Sequence, residues 1–163
     1  MVSHARLNSL ALCGLAALVA LWAVPLMGGQ EMMDKEIMKG RVMAKSKYPF
    51  DETVSRLKQA IEGENLMVIH SIDQQAMLRM VGVEAKGMQS ILFFHPQYGR
   101  MIYQTDRLAG IEPPLKIVVM EGDMGTMITY YKPSYLFRKY QGLARLGDEL
   151  DGVLARITEA VTK

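Results

Sequence analysis

The sequence predicts an α+β protein in which one apolar N-terminal helix spans a membrane and leads into a two-layer domain. In that domain helices pack on one face of a mainly antiparallel sheet. Three observations carry the prediction. Ser9 to Met27 is an uncharged run made almost wholly of Leu, Ala, Val and Met. Beyond it, strand-like and helix-like patterns follow one another singly along the 163 residues. Two β-branched runs, Leu115 to Glu121 and Thr126 to Lys132, flank the acidic Gly-containing loop EGDMG, which reads as a hairpin.

The apolar run comes first. Its residues 9–27 reach roughly 28 Å at about 1.5 Å each, close to the hydrocarbon thickness of a bilayer. The run shows no polar stripe of the kind a buried core helix carries. Its exit, Val24-Pro25-Leu26-Met27-Gly28-Gly29, makes a poor signal-peptide cleavage site, so residues 1–29 read as a retained signal anchor. Arg6 and His4 supply the only basic character before the span. By the positive-inside rule this places the N-terminus in the cytoplasm and the C-terminal domain in the periplasm of a bacterial inner membrane, crossed once. The single cysteine, Cys13, lies within the span, which removes thiol catalysis, Cys-based zinc and Cys-ligated iron-sulfur clusters from the exported part.

Residues 30–43 form a polar connector bearing Met32, Met33, Met38 and Met43, and the domain is assigned to residues 44–163. Its first strand starts near Val42 and closes at Tyr48-Pro49. Asp51-Glu52-Thr53 opens a helix with Val54, Leu57, Ala60 and Ile61 on one face and Gly63 as its stop. Leu66 to Ile72 alternates as a strand with Leu66, Val68, His70 and Ile72 on one side, and Asp73 caps a short helix that ends by Gly82. Ser90 to His95 is nearly all apolar and stops at Pro96, which predicts a central strand buried on both faces. A helix over Tyr98 to Leu108 precedes the hairpin. After Pro133 to Tyr140, Leu143, Leu146, Leu150, Val153, Leu154, Ile157 and Val161 make the apolar stripe of a C-terminal helix.

Four landmarks in this order, Phe94-His95-Pro96, Pro114-Leu115-Lys116, Glu121 to Gly125 and Tyr131-Lys132-Pro133, resemble the domain-of-unknown-function 302 family. The resemblance covers about residues 44–140. It implies a TATA-binding-protein-like α+β fold of one β-α-β4-α unit, often dimeric, with no established reaction. The chain departs from the family pattern in having His95 where an Asn precedes the Pro, and Ile111-Glu112-Pro113 in place of an Asp-Leu pair.

The chemistry is bounded mostly by exclusion. With 19 Lys plus Arg against 17 Asp plus Glu, the net charge of +2 offers no nucleic-acid footprint. No G-x-S-x-G, G-x-G-x-x-G or G-x-x-x-x-G-K-[ST] is present, so no catalytic set is assigned. Imidazole and thioether groups suit copper(I) or haem iron, which makes His70, His95, Met80 and Met88 the candidate metal ligands. Against that stands the plain reading of methionine as flexible packing. Phe94, Tyr131 and the connector residues Met32, Met33 and Met38 are the candidate pocket or interaction residues, since aromatic and methionine surfaces adapt to partners. The expected function is a membrane-anchored periplasmic binding or interaction module, a dimer or an accessory subunit of a membrane complex held through residues 9–27. The alternative is a periplasmic copper or haem protein in redox chemistry.

Overall fold

The computed structural model describes residues 38–163. The anchor, and the connector residues Met32 and Met33, lie outside them. Among the described residues no helix is long and apolar enough to cross a membrane.

Five strands form one antiparallel sheet: β1 (Arg41–Lys45), β2 (Met67–Asp73), β3 (Met88–Phe94), β4 (Leu115–Gly122) and β5 (Gly125–Tyr131), in the order β1-β5-β4-β3-β2. Between them run α1 (Phe50–Gly63), α2 (Gln74–Met80), α3 (Pro96–Thr105) and a 3-10 turn (Arg107–Ile111), and after them α4 (Pro133–Phe137) and α5 (Ala144–Thr162). The short α2, α3 and α4 are additions to a β-α-β4-α frame, and the fold is α+β.

The strands alternate as their sequences demand. Ile91, Phe93, Leu115, Ile117, Val119 and Ile128 share one face and are all buried. Against them lie Leu57 and Ile61 of α1 and Leu150, Leu154 and Ile157 of α5, all buried. Each such side chain contributes about 1.5–3 kcal/mol on leaving water, so this single helix-on-sheet layer holds the domain together. The last turn of α5 is tied to the end of β1, where the Lys47 backbone N–H donates to the Val161 carbonyl at 2.8 Å. Among the described residues the other face of the sheet carries no long helix.

Several elements differ from the expectation. β1 begins at Arg41, so Met43 belongs to the sheet and not to a connector. β3 is only partly buried on its second face: Ile91 and Phe93 are buried on one side, whereas on the other Ser90 is buried and Met88, Leu92 and Phe94 are half-buried. The strand in the middle is β4. In β2 the pairing slips between Val68 and His70. A bulge of this kind adds one residue and turns the rest of the strand to the other face. Val68 therefore stays opposite Phe93, while His70 and Ile72 pair with Leu92 and Ser90 of the open face. The helix expected over residues 98–108 breaks at Asp106, whose carboxylate accepts from the Leu108 N–H and starts the 3-10 turn. Helix α1 does stop at Gly63, but the left-handed residue that turns the chain out of it is Asn65, at φ 58°.

One ion pair joins the end of α1 to α5. Arg156 donates to Glu64 twice, Nε to Oε1 at 2.9 Å and Nη2 to Oε2 at 2.7 Å. The Arg156 hydrogen bond holds the Glu64 carboxyl below its ordinary 4.5, against a smaller opposing effect of burial. A carboxyl lowered on folding contributes stability above its unfolded pKa and loses it as the pH falls through the folded one. Glu64→Gln is therefore expected to melt slightly below the parent at neutral pH, with the gap closing as the pH drops below 4.5. Melting curves across that range check this, and a gap independent of pH refutes it.

Candidate functional site

Among the described residues, the open face of the sheet carries the feature best shaped to take a ligand. Its strands present Arg41 and Met43 from β1, Thr129 and Tyr131 from β5, Lys116 and Val118 from β4, and Leu92 from β3. Toward one end of this face the chain from Ile111 to Pro114, with a cis bond between Pro113 and Pro114, and Leu136 of α4 rise beside the strands. Together they border an open-sided cavity of about 390 Å³. Leu92, Val118, Ile111 and Leu136 make its walls apolar, while Arg41, Lys116 and Thr129 supply the polar groups.

Thr129 lies on the floor and is 5% exposed. Its Oγ1 is buried with no hydrogen-bond partner among the described residues. The strand register explains why: the residues beside it are Met43 on β1 and Val118 on β4, and neither offers a conventional donor or acceptor. Leaving a hydroxyl so placed costs about 1–3 kcal/mol. A buried polar group without a partner, next to open volume, is the kind of exception that calls for an explanation.

Arg41 and Lys116 stand two strands apart on either side of β5, roughly 10 Å between strand axes at about 4.8 Å per strand. Neither has a carboxylate partner among the described residues. Arg41 lies over the Tyr131 ring at 5.6 Å, and Tyr131 stacks on Tyr135 at 6.2 Å with 20° between the rings. Gly40, at φ +70°, makes room for that stack, because a Cβ there would fall 2.1 Å from the Tyr135 ring. The aromatic pair thus fixes the direction in which β1 delivers Arg41.

The one carboxylate in the cavity wall is already engaged. Tyr140 Oη donates to Glu112 Oε1 at 2.6 Å, and Lys139 Nζ lies 2.9 Å from the same oxygen. The Glu112 hydrogen bond raises both the Tyr140 phenol and the Lys139 ammonium above their ordinary values. Glu112 therefore works as a brace between the Ile111 to Pro114 segment and the turn after α4. The charge left facing the cavity is positive.

The residues singled out from sequence fall in several places. Tyr131 lines this cavity. Phe94 sits on the open face beyond it, its ring 6.2 Å from that of Tyr98. His95 caps α3, its Nδ1 accepting from the Gln97 N–H at 3.1 Å, and its ring lies edge-on to Tyr98 at 6.0 Å. His70 is exposed on the edge strand β2, opposite Leu92. Met88 is on the same strand as Leu92, four residues away, about 13 Å along the strand at roughly 3.3 Å per residue. Met80 is 85% exposed at the end of α2. The register thus spreads these four over different places, and among the described residues no group of three His, Cys, Asp or Glu is gathered to hold a metal. Met38 is exposed just before β1.

Sequence reasoning missed Arg41, Lys116 and Thr129. Lys116 interrupts an otherwise apolar strand at a position facing away from Leu115 and Ile117, which was a legible signal. Thr129 gave none, because its isolation depends on Met43 of β1, a strand distant in sequence.

The family described as Domain of unknown function DUF302 matches residues 42–163. The chain belongs to the DUF302 family. The crystal structure of an uncharacterized conserved DUF302 protein from Bacillus stearothermophilus superposes with a TM-score of 0.70 at 20% identity, covering 75% of this chain and 98% of that one. That agreement fixes the DUF302 fold, including the frame on which the cavity is built. Curated relatives to which the chain is similar include a Fluoride-specific ion channel FluC 1 of Brucella suis biovar 1, 24% identical over 105 residues, and a Fluoride-specific ion channel FluC 2 of Brucella melitensis biotype 1 at the same identity. The match takes in 64% of this chain but 41% and 39% of those channels, so the DUF302 chain spans about two-fifths of their length.

Proposed function

We propose that this chain is a non-catalytic binding module, anchored in the bacterial inner membrane through residues 9–27, whose periplasmic DUF302 domain takes a small ligand in the cavity of its open sheet face. The observation that carries this reading is the cavity itself. Apolar walls with a few convergent polar groups are the usual make-up of a small-molecule site, and here one of those groups is a buried hydroxyl that nothing else satisfies among the described residues. Among the described residues no nucleophile paired with a base stands in the cavity wall, so binding is the simplest use of the arrangement. Service as a dimer or as the accessory part of a membrane complex fits the same reading. Similarity to part of proteins named as ion channels supports a place beside a membrane protein.

Val118 stands half-buried in the cavity wall. Enlarging it to tryptophan fills the volume from an exposed strand face while leaving the helix-covered core untouched. Small-molecule fragments that give saturation-transfer signals with the full-length chain in neutral detergent are expected to lose them in Val118→Trp. Signals that persist unchanged in the variant place the ligand elsewhere and end this proposal.

A further inference from the structure

We infer that the ligand of this cavity is an organic carboxylate with an apolar body, its carboxyl group held between Arg41 and Lys116 and hydrogen-bonded by Thr129. The inference rests on the reading that the cavity is a binding site, and adds to it the chemical class.

Charge decides the sign. Two cations from β1 and β4 face the cavity without carboxylate partners among the described residues, and the only acidic side chain in the lining, Glu112, is bound by Tyr140 and Lys139. A cationic ligand would meet two like charges. A neutral one would gain nothing from either charge, since Lys116 is exposed and Arg41 half-buried. An anion is attracted by both, and the guanidinium can donate two parallel N–H bonds to a planar carboxylate.

Thr129 supplies the second, independent indication. Its hydroxyl can donate once and accept, yet neither valence is used among the described residues. A carboxylate oxygen that reaches it as the Met43 and Val118 side chains give way accepts that proton without needing one of its own. A hydroxyl flanked by Met43 and Val118 is otherwise only a penalty.

Volume and lining decide the rest. At roughly 30 Å³ for each water-sized group, a cavity of about 390 Å³ takes a molecule of about thirteen non-hydrogen atoms. A bare halide or a formate fills a small fraction of it and leaves Leu92, Ile111, Val118 and Leu136 in contact with water. A carboxylate carrying an aromatic or branched apolar body uses both halves of the site.

The test compares three probes of nearly equal shape, 4-phenylbutyrate, its neutral amide, and 4-phenylbutylamine, with sodium fluoride as a fourth. Each is titrated calorimetrically into the full-length chain in neutral detergent. The acid is expected to bind at least 10-fold more tightly than the amide, and the amine not at all. Arg41→Gln and Lys116→Gln are each expected to weaken the acid 5- to 10-fold, and Thr129→Val about 5-fold, with the amide little affected. Comparing the acid with its amide needs no altered protein, so misfolding of a variant cannot obscure the result. Amide or amine binding as tight as the acid, or fluoride bound more tightly than all three, overturns the carboxylate assignment while leaving the cavity as a binding site. If none of the four binds, and the fragment signals above survive Val118→Trp, both the assignment and the reading beneath it fall.

Discussion

Alanine at Gly147 is expected to destabilise the domain, whereas alanine at Gly152, five positions later in the same helix α5, is expected to stabilise it. Helix propensity alone predicts a gain of about 0.5–1 kcal/mol at either position, because glycine loses more backbone freedom than alanine. Packing separates them. A Cβ on Gly147 would stand 2.7 Å from the Ser134 Cα and 3.1 Å from both the Pro133 carbonyl oxygen and the Ser134 nitrogen. All three are backbone atoms and none can swing aside as a flexible side chain would. At Gly152 the nearest atom is the far end of Arg156, 3.7 Å away, an ordinary contact.

The contact at Gly147 is held from the other side as well. Asp151 accepts from the Ser134 N–H at 2.9 Å and from its hydroxyl at 2.6 Å, so the first turn of α4 hangs on α5 by two bonds one helical turn beyond the glycine. Forcing the two apart costs about 1–3 kcal/mol for the overpacking, which exceeds the propensity gain. Melting temperatures of the two variants are expected to move in opposite directions. A stabilised Gly147→Ala would show that α4 can move freely against α5. The consequence reaches the site, since α4 carries Leu136 into the cavity wall.

The same contrast shows what the sequence discloses. The C-terminal helix was legible because its seven apolar residues recur at helical spacing, and Leu150, Leu154 and Ile157 are indeed buried against the sheet. The hairpin was legible because β-branched runs flank a glycine-bearing turn, and Gly122 does pair with Gly125 across it. Those signals are local. The bulge in β2 is not: nothing in Met67–Asp73 marks where the pairing slips, and missing it put His70 on the wrong face. Nor could β1 be seen to lie beside β5, which is 80 and more residues away. That pairing brings Arg41 to Tyr131 and sets Met43 next to Thr129. The cavity is a product of strand order, and the strand order is set by long-range packing that a single sequence does not display. Methionine abundance drew attention to ligands, and the register does set Met88, Met120 and Met127 side by side across β3, β4 and β5, but Met80 is exposed at the end of α2 and Met43 lies beside Thr129.

Replacing Thr129 by valine is expected to make the ligand-free protein more stable and a poorer binder at once. The substitution exchanges a hydroxyl for a methyl group of similar size on a strand that favours β-branched residues. Were Oγ1 hydrogen-bonded in the resting protein, the exchange would lose that bond and destabilise it by about 1 kcal/mol. Instead the atom is buried and unpaired among the described residues, between the side chains of Met43 and Val118. Removing it relieves a desolvation penalty of about 1–3 kcal/mol, and the new methyl group meets apolar neighbours. A net gain of about 1 kcal/mol corresponds to a rise in melting temperature of several degrees for a domain of this size. Serine at the same position keeps the hydroxyl and serves as the control: it is expected to lose stability through the missing methyl group but to retain carboxylate binding. Chemical denaturation and heat melts of the three proteins, run without ligand, read the first effect directly. A destabilised Thr129→Val would mean that the hydroxyl is engaged in the resting state. There would then be no penalty at this position for a ligand to account for. A stabilised variant that no longer takes up the carboxylate would show a position where the fold gives up stability for its site.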